Sequence, residues 1–351
     1  VSAPLQRSLT IAVVFGGGSA ERDVSVASAA QVVGGLRSLG HRVIAVDTAS
    51  GPLDALQETE RLAARVGRTA PQGVDAYAGL GLLARDPESF FADPRLSGLD
   101  LVFLALHGGA GEDGRLQALL ELRGVPYTGS GVLGSACAMD KDITKRLLRL
   151  AGVPTADWRM APVDAEVIAV ALGWPVVVKP SKQGSTVGLS VVRGPQALEP
   201  AVREALRHDD EVMVERFVPG RELTVGILDG VALAVGEILL GGREIFDYEA
   251  KYQPGGATEV FPADLSPAIT AEVQRLGCRV AAELKLLDYC RVDFRLDPAG
   301  QLWCLEVNTL PGMTAMSLLP QSAAACGINF AELCGRICAG ALRRADNRRQ
   351  P

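Results

Sequence analysis

Paired cysteine motifs are missing from this chain. Seven cysteines stand at positions 137, 278, 290, 304, 326, 334 and 338, an odd number with no CxxC among them, and only three histidines could assist them. A disulfide framework is therefore excluded and a zinc site has too few ligands, so the thiols are expected to be free and buried in a reducing compartment. Cys334 and Cys338 are spaced to share one helix face. Long apolar runs are lacking as well. The longest near the start, Leu9 to Phe15, is far too short to span a membrane and ends in glycines, so a cytoplasmic protein with no membrane partner is expected. An excess of positive charge is also absent: a formal net charge of -6 argues against a general nucleic-acid binder, whose affinity rests on Lys and Arg meeting phosphates. GxxxxGK[ST] occurs nowhere, and the glycine turn after the first apolar run lacks GxGxxG spacing, which argues against P-loop proteins and dinucleotide-binding dehydrogenases.

What remains is a chain of 351 residues, 48% hydrophobic, in which strand-like runs alternate with helical patterns, as in α/β proteins of two or three domains. Leu9 to Phe15 reads as a buried strand, Gly16-Gly-Gly-Ser-Ala-Glu21 as a turn, and the residues to Leu39 as a helix, the opening of a doubly wound sheet. Such a turn is expected to aim backbone N–H groups at an anion. Glu21 just beyond it suits an ammonium group, or else complements the helix dipole, and Asp47 is a loose candidate for a ribose contact. A helix is expected near Leu53 to Val66, and a strand over Leu99 to Leu106 that delivers His107 onto the glycine loop Gly108-Gly-Ala-Gly-Glu112-Asp-Gly114. Open α/β sheets bind ligands at such strand ends, although the ring could equally bond its own loop. Val125 to Gly131 reads as a linker. Asp140 is placed to cap the following helix, on which Lys141 and Lys145 either reach a phosphate or lie solvated.

Pro175 to Lys179, the loop Pro180 to Gly188 and the apolar residues after it form a strand, a Gly/Ser-rich loop and a strand, suited to covering phosphates, with Lys179 as a point charge. Glu211 to Glu222 is a strand and turn able to meet an adenine through Glu215 and the backbone of Phe217 and Val218, with Glu222 toward ribose hydroxyls. Strands over 223–228 and 231–240 lead to the polar, glycine-flanked stretch from Gly241 to Ala257, which reads as a lid. Arg291 to Asn308 is a hairpin with a turn at Asp297-Pro-Ala-Gly300. Residues two apart share a strand face, so Glu306 and Asn308 point together with Asp293 folded alongside, an oxygen set suited to Mg²⁺. An exposed acidic hairpin is the plain alternative. The basic tail from Arg343 onward is expected to fray.

Taken together, Gly-Gly-Gly-Ser-Ala-Glu21, His107-Gly-Gly-Ala-Gly-Glu-Asp-Gly, Met-Asp-Lys141, Lys179-Pro-Ser-Lys-Gln-Gly-Ser185-Thr-Val-Gly, Asp-Tyr-Glu-Ala-Lys251-Tyr252, Arg291-Val-Asp293 and Glu306-Val-Asn308-Thr-Leu-Pro-Gly312-Met-Thr closely resemble the D-alanyl-D-alanine ligases of the ATP-grasp superfamily, in order and over nearly the whole chain. The resemblance implies a three-domain α/β architecture: a Rossmann-like substrate domain (1–129), a central ATP-grasp subdomain (130–218) and a C-terminal α+β domain with metal site and lid (219–351), the last two clamping ATP. It implies that Lys141, Lys179, Glu215, Phe217, Val218 and Glu222 hold ATP. Asp293, Glu306 and Asn308 would hold two Mg²⁺, with Mn²⁺ as a substitute, and Lys251 would touch the γ-phosphate. Arg291 and Gly312 would surround an oxyanion, Glu21 and His107 would hold the first D-alanine, and Ser317 with Leu318 the second substrate's carboxylate. Ser185 and Tyr252 would close the lid onto Glu21, and tyrosine at 252 favours D-alanine as second substrate. A cytoplasmic homodimer serving peptidoglycan synthesis is implied too. A ligase using D-lactate or D-serine, another ATP-grasp carboxylate-amine ligase, and a nucleotide-gripping regulator remain as alternatives.

Overall fold

The computed structural model describes residues 7–19, 21–63, 81–242 and 257–349. Lys251 and Tyr252, with most of the expected lid, lie outside the described residues. The first sheet contains β1 (Thr10–Phe15), β2 (Arg42–Asp47), β3 (Gly51–Pro52) and β4 (Leu101–Leu104), in the order β3-β2-β1-β4, with β2 and β4 both parallel to β1. Its strands are apolar almost throughout, as a parallel sheet covered on both faces requires. The helix Arg22–Ser38 covers one face, and residues of the C-terminal helix Phe330–Arg349 (Leu333, Cys334, Ile337, Cys338) join the same core. Gly35 makes that junction close: a Cβ there would stand 3.3 Å from the Phe330 ring. The helix expected near Leu53 to Val66 is Ala55–Leu62, capped by Asp54.

One expectation fails in this region, and a second segment is held more firmly than its pattern suggests, for the same reason. The tail does not fray; it is helical to Arg349, because Arg343 finds Asp229 at 2.9 Å and Arg344 finds Asp288 at 2.7 Å and the Gly129 carbonyl at 2.7 Å. The presumed linker carries Tyr127, which is buried and bridges Val102 beside β4. Partners between 25 and 215 residues away in the chain fix both segments, and no local pattern announces them. The thiols divide likewise: Cys290, Cys304, Cys334 and Cys338 are buried, Cys137 and Cys278 half-buried, and Cys326 is exposed, its sulfur accepting from Ala234 N at 3.1 Å.

The second sheet holds β5 (Trp158–Met160), β6 (Val176–Pro180), β7 (Ser190–Val192) and β8 (Val212–Arg216), ordered β5-β8-β6-β7 and antiparallel. The third holds β9 (Arg221–Leu228), β10 (Val231–Leu239), β11 (Thr258–Val260), β12 (Tyr289–Leu296) and β13 (Leu302–Asn308), ordered β11-β10-β9-β12-β13 and also antiparallel. Helix Pro267–Glu283 packs Val273, Leu276 and Val280 on it, each buried side chain contributing about 1.5–3 kcal/mol. Gly277 permits that approach, since a Cβ would lie 2.7 Å from Val225. No helix among the described residues is long and apolar enough to cross a membrane.

Candidate active site

Between the second and third sheets lies a cavity of about 110 Å³. Val177, Lys179, Glu215, Phe217 and Val218 line it from one side, Glu222, Arg295 and Glu306 from the other. Glu215 is 2% exposed. Burial alone would raise its carboxyl, but the ammonium groups of Lys145 and Lys179 outweigh that and hold it down to about 2. Lys179 Nζ donates at 2.7 Å, and Lys145 Nζ donates to the other oxygen and to Thr155 Oγ1. Lys145 is 1% exposed, so its sequence reading as a solvated lysine is corrected: its ammonium is committed to Glu215. The Phe217 N–H already donates to Pro175 O at 3.3 Å. Glu222 pairs with Arg295 at 3.0 Å.

A second chamber, of about 270 Å³, adjoins the first, and Lys141, Gln183 and Glu306 line both. Asp140 caps the helix Lys141–Leu150, accepting from Asp142 N at 3.0 Å and Ile143 N at 3.1 Å, which fixes Lys141 in the first turn. Lys141 Nζ donates to Gln183 O at 2.6 Å and lies 3.6 Å from Glu306. Above it runs the Gly/Ser-rich loop. Ser185 and Thr186 both hold left-handed backbone, φ 50° and 63°, a combination disfavoured outside glycine and sustained here by surrounding contacts. Lys182 N donates to Asp209 at 2.6 Å and Gln183 Nε2 to His208 O at 2.8 Å, pinning the loop's base. At its tip Ser185 Oγ donates to Glu21. The Glu21 side chain makes no capping hydrogen bond at the helix it precedes and instead makes this contact across the chamber.

The glycine turn itself departs from expectation. Gly16 N donates to Ser25 Oγ and Gly17 N to Thr48 Oγ1, both at 2.9 Å, so these amides are spent within the fold and do not await an anion. Asp47 is fully buried and pairs with Arg22 at 3.0 Å, which disposes of the ribose contact. His107 is engaged at both nitrogens: Nδ1 meets Leu310 O at 2.8 Å and Nε2 meets Ser28 Oγ at 3.0 Å. A carbonyl only accepts, so Nδ1 carries the proton and Nε2 takes the serine's. Ser28 Oγ in turn accepts from Met313 N at 3.1 Å.

Glu112 is a residue whose importance sequence reasoning missed. It is half-buried in the chamber wall, and its carboxyl is raised above the ordinary range by burial, against the N–H groups of Leu310 and Gly108. Oε2 accepts from Gly108 N at 3.0 Å, while Oε1 accepts from Thr309 N at 3.0 Å and Leu310 N at 2.9 Å. It joins the His107 loop to the end of β13. The available signal was an acid inside a run of glycines, where a lone carboxylate has only backbone to hold.

The β12–β13 hairpin supplies the remaining wall. Arg291 lies opposite Asn308 and Asp293 opposite Glu306, with a bulge after Asp293 that simple alternation does not anticipate; Leu305 and Glu306, adjacent in sequence, both line the smaller cavity. Arg291 forks onto Asp293 at 2.9 and 2.8 Å, Asn308 Nδ2 donates to the same carboxylate at 3.0 Å and Thr224 Oγ1 at 2.7 Å. Among the described residues no three His, Cys, Asp or Glu gather as a metal cluster. The set here is two carboxylates and an amide, Glu306 lining both cavities, Asn308 the larger one and Asp293 buried against Asn308, and these hard oxygen donors fit Mg²⁺ better than a softer ion. Gly312, Ser317 and Leu318 sit beside it. A Cβ on Gly312 would fall 2.6 Å from Ser317 Oγ, which is held by Thr314 N and Oγ1 and so does not cap the helix Leu318–Ala325.

Two antiparallel sheets gripping a slot lined by Lys141, Lys179 and a deeply set glutamate, with an oxygen-rich hairpin at its mouth, define the ATP-grasp architecture. The family models described as D-ala D-ala ligase N-terminus and C-terminus match residues 10–130 and 147–339. A D-alanine--D-alanine ligase of Citrifermentans bemidjiense is 44% identical over 327 residues, covering 93% of this chain and 94% of that protein, and one from Synechococcus sp. is 40% identical over 342 residues, covering 96% and 94%. Among solved structures, the Coxiella burnetii D-alanine-D-alanine ligase superposes with a TM-score of 0.79 at 27% identity, covering 98% of this chain and 96% of that one. The Bacillus anthracis D-alanine--D-alanine ligase complexed with ATP gives 0.75 at 28%, covering 97% and 100%. This chain belongs to the D-alanine-D-alanine ligase family.

Proposed function

We propose that this protein joins two D-alanines to D-alanyl-D-alanine at the expense of ATP, through a D-alanyl phosphate, for peptidoglycan precursor synthesis. It is an enzyme, an ATP-dependent ligase. The observation that carries the reading is the shared wall: Lys141, Gln183 and Glu306 face both the slot and the chamber, so a nucleotide in one presents its terminal phosphoryl group to a carboxylate in the other. We assign Lys141, Lys179, Glu215, Phe217, Val218 and Glu222 to ATP. Asp293, Glu306 and Asn308 would hold Mg²⁺, which when bound neutralises charge on the transferring phosphoryl group. Lys251 and Tyr252 are assigned with the lid on the resemblance.

Glu21, fixed by Ser185, takes the ammonium of the first D-alanine, and His107 holds the loop from Leu310 to Met313 against it. Arg291 and the Gly312 backbone stabilise the oxyanion formed during amine attack. Ser317 and Leu318, at an uncapped helix start, receive the second carboxylate. The cover loop excludes water from the acyl phosphate. Domain limits at 1–129, 130–218 and 219–351, with the final helix returned to the first core, belong to the same proposal, as do a cytoplasmic location and a homodimer. Phosphate release from ATP, with D-alanine, L-alanine, D-serine and D-lactate offered singly and in pairs, tests it. Rapid release with D-alanine and a D-alanyl-D-alanine product are expected; release only when D-lactate or D-serine accompanies D-alanine would move the reading to a related ligase.

A further inference from the structure

The chamber contains one carboxylate, Glu259, to which neither the mechanism nor the scaffold has given a role. Glu259 lies on β11, the edge strand of the third sheet, opposite Ile238, and it lines the chamber with Arg291, Ser317 and Leu318. Its face of the strand is the one on which Ile238 packs against Leu318, so Glu259 and the start of helix Leu318–Ala325 form one corner. Gln321 Nε2 donates to Glu259 Oε2 and also to Met316 O at 2.7 Å, which aims the carboxylate while the helix start stays in place. The other acids of the chamber are committed: Glu21 to Ser185, Glu112 to three backbone amides, Glu306 toward Lys141. Among the described residues, a neutral amide is the sole side-chain hydrogen-bond donor to Glu259.

The reaction needs such a group. An amino acid enters with an ammonium nitrogen that has no lone pair, and its carboxylate, if received at Ser317 and Leu318, leaves that nitrogen within a few ångströms of the same corner. The geometry points to Glu259 as the carboxylate that receives the second amino acid's ammonium group and takes its proton before attack; this rests on the ligase reading above. The proton passes from nitrogen to a Glu259 oxygen, and the freed lone pair forms the C–N bond at the acyl carbon. The C–O bond to phosphate then breaks, phosphate leaving with the electron pair and collecting the second amine proton. Burial raises the Glu259 carboxyl, while Gln321 and Arg291 pull it down, in keeping with a proton acceptor. Charged groups facing it are Arg291 from β12 and, further round the chamber, Glu306, Lys141 and Glu21; Glu237 on β10 is paired with Arg221 instead.

Steady-state kinetics of the full chain with ATP and Mg²⁺ separate the two D-alanine sites. Glu259→Gln is expected to raise the second-site KM at least about tenfold with the first-site KM unchanged, and to abolish the acid limb of second-site kcat/KM; Glu259→Asp restores that limb in part. If Glu259→Gln does not fold, Gln321→Leu, which frees the carboxylate, is read the same way with a smaller rise. Both KM values within twofold of wild type, both raised alike, or an acid limb retained in Glu259→Gln would each overturn the assignment. A wild-type protein that does not ligate would instead overturn the ligase reading.

Discussion

Two ionic centres of similar make-up sit about the nucleotide slot and behave differently. In one, Glu215 is sealed between Lys145 and Lys179, with side-chain exposures of 3%, 1% and 10%. In the other, Asp293 is gripped by Arg291 but stands beside Glu306, whose side chain is 28% exposed, at the junction of both cavities. In the first, ammonium groups already take both carboxylate oxygens, so the centre holds a fixed charge pattern along the slot wall. The second can exchange partners, since an incoming cation or oxyanion competes directly for carboxylate or guanidinium. A closed centre thus supports the open one, and the two should answer differently to the same kind of damage.

The sharpest break is expected at the open centre. Asp293→Ala should lower ATP-dependent phosphate release by roughly a thousandfold or more; near-normal turnover would remove the metal assignment. At the closed centre the loss is in stability: Lys145→Met leaves Glu215 Oε1 and Thr155 without their buried donor and should cost about 3 kcal/mol, read from urea denaturation. Acid should distinguish the centres next. The Glu215 carboxyl is depressed to about 2 from an ordinary 4.5, so its contribution is fully present above 4.5 and is lost as pH falls through 2. That amounts to up to about 3 kcal/mol, and Glu215→Gln should flatten the urea midpoint over this window. As a control away from both, Arg7→Ala should cost under about 0.5 kcal/mol, because Arg7 meets Asp100 with 67% of its side chain exposed.

How far these centres were legible in sequence follows from how local their causes are. The β12–β13 hairpin was readable because alternation and a Pro-Gly turn are properties of eighteen consecutive residues; Gly300 N indeed closes the turn on Asp297 O at 2.9 Å. The helix cap at Asp140 was readable for the same reason. The pairing of Lys145 with Glu215 spans seventy residues and left no trace in either segment. The glycine turn misled because its amides have partners in Ser25 and Thr48, one of them beyond the next strand. The bulge after Asp293 lies inside an otherwise regular strand pair, where the register shift depends on the partner.

Glu112 bears on how this molecule can be rebuilt. One of its oxygens serves the loop after β4 and the other serves the residues after Asn308, nearly two hundred positions later. A chimera that took its front part from one relative and its back part from another would inherit half of that bond on each side of the seam. Unless the incoming loop offers its amides at the same two places, the hybrid entombs a bare acid, so evolutionary exchange of these parts has to proceed with both ends matched.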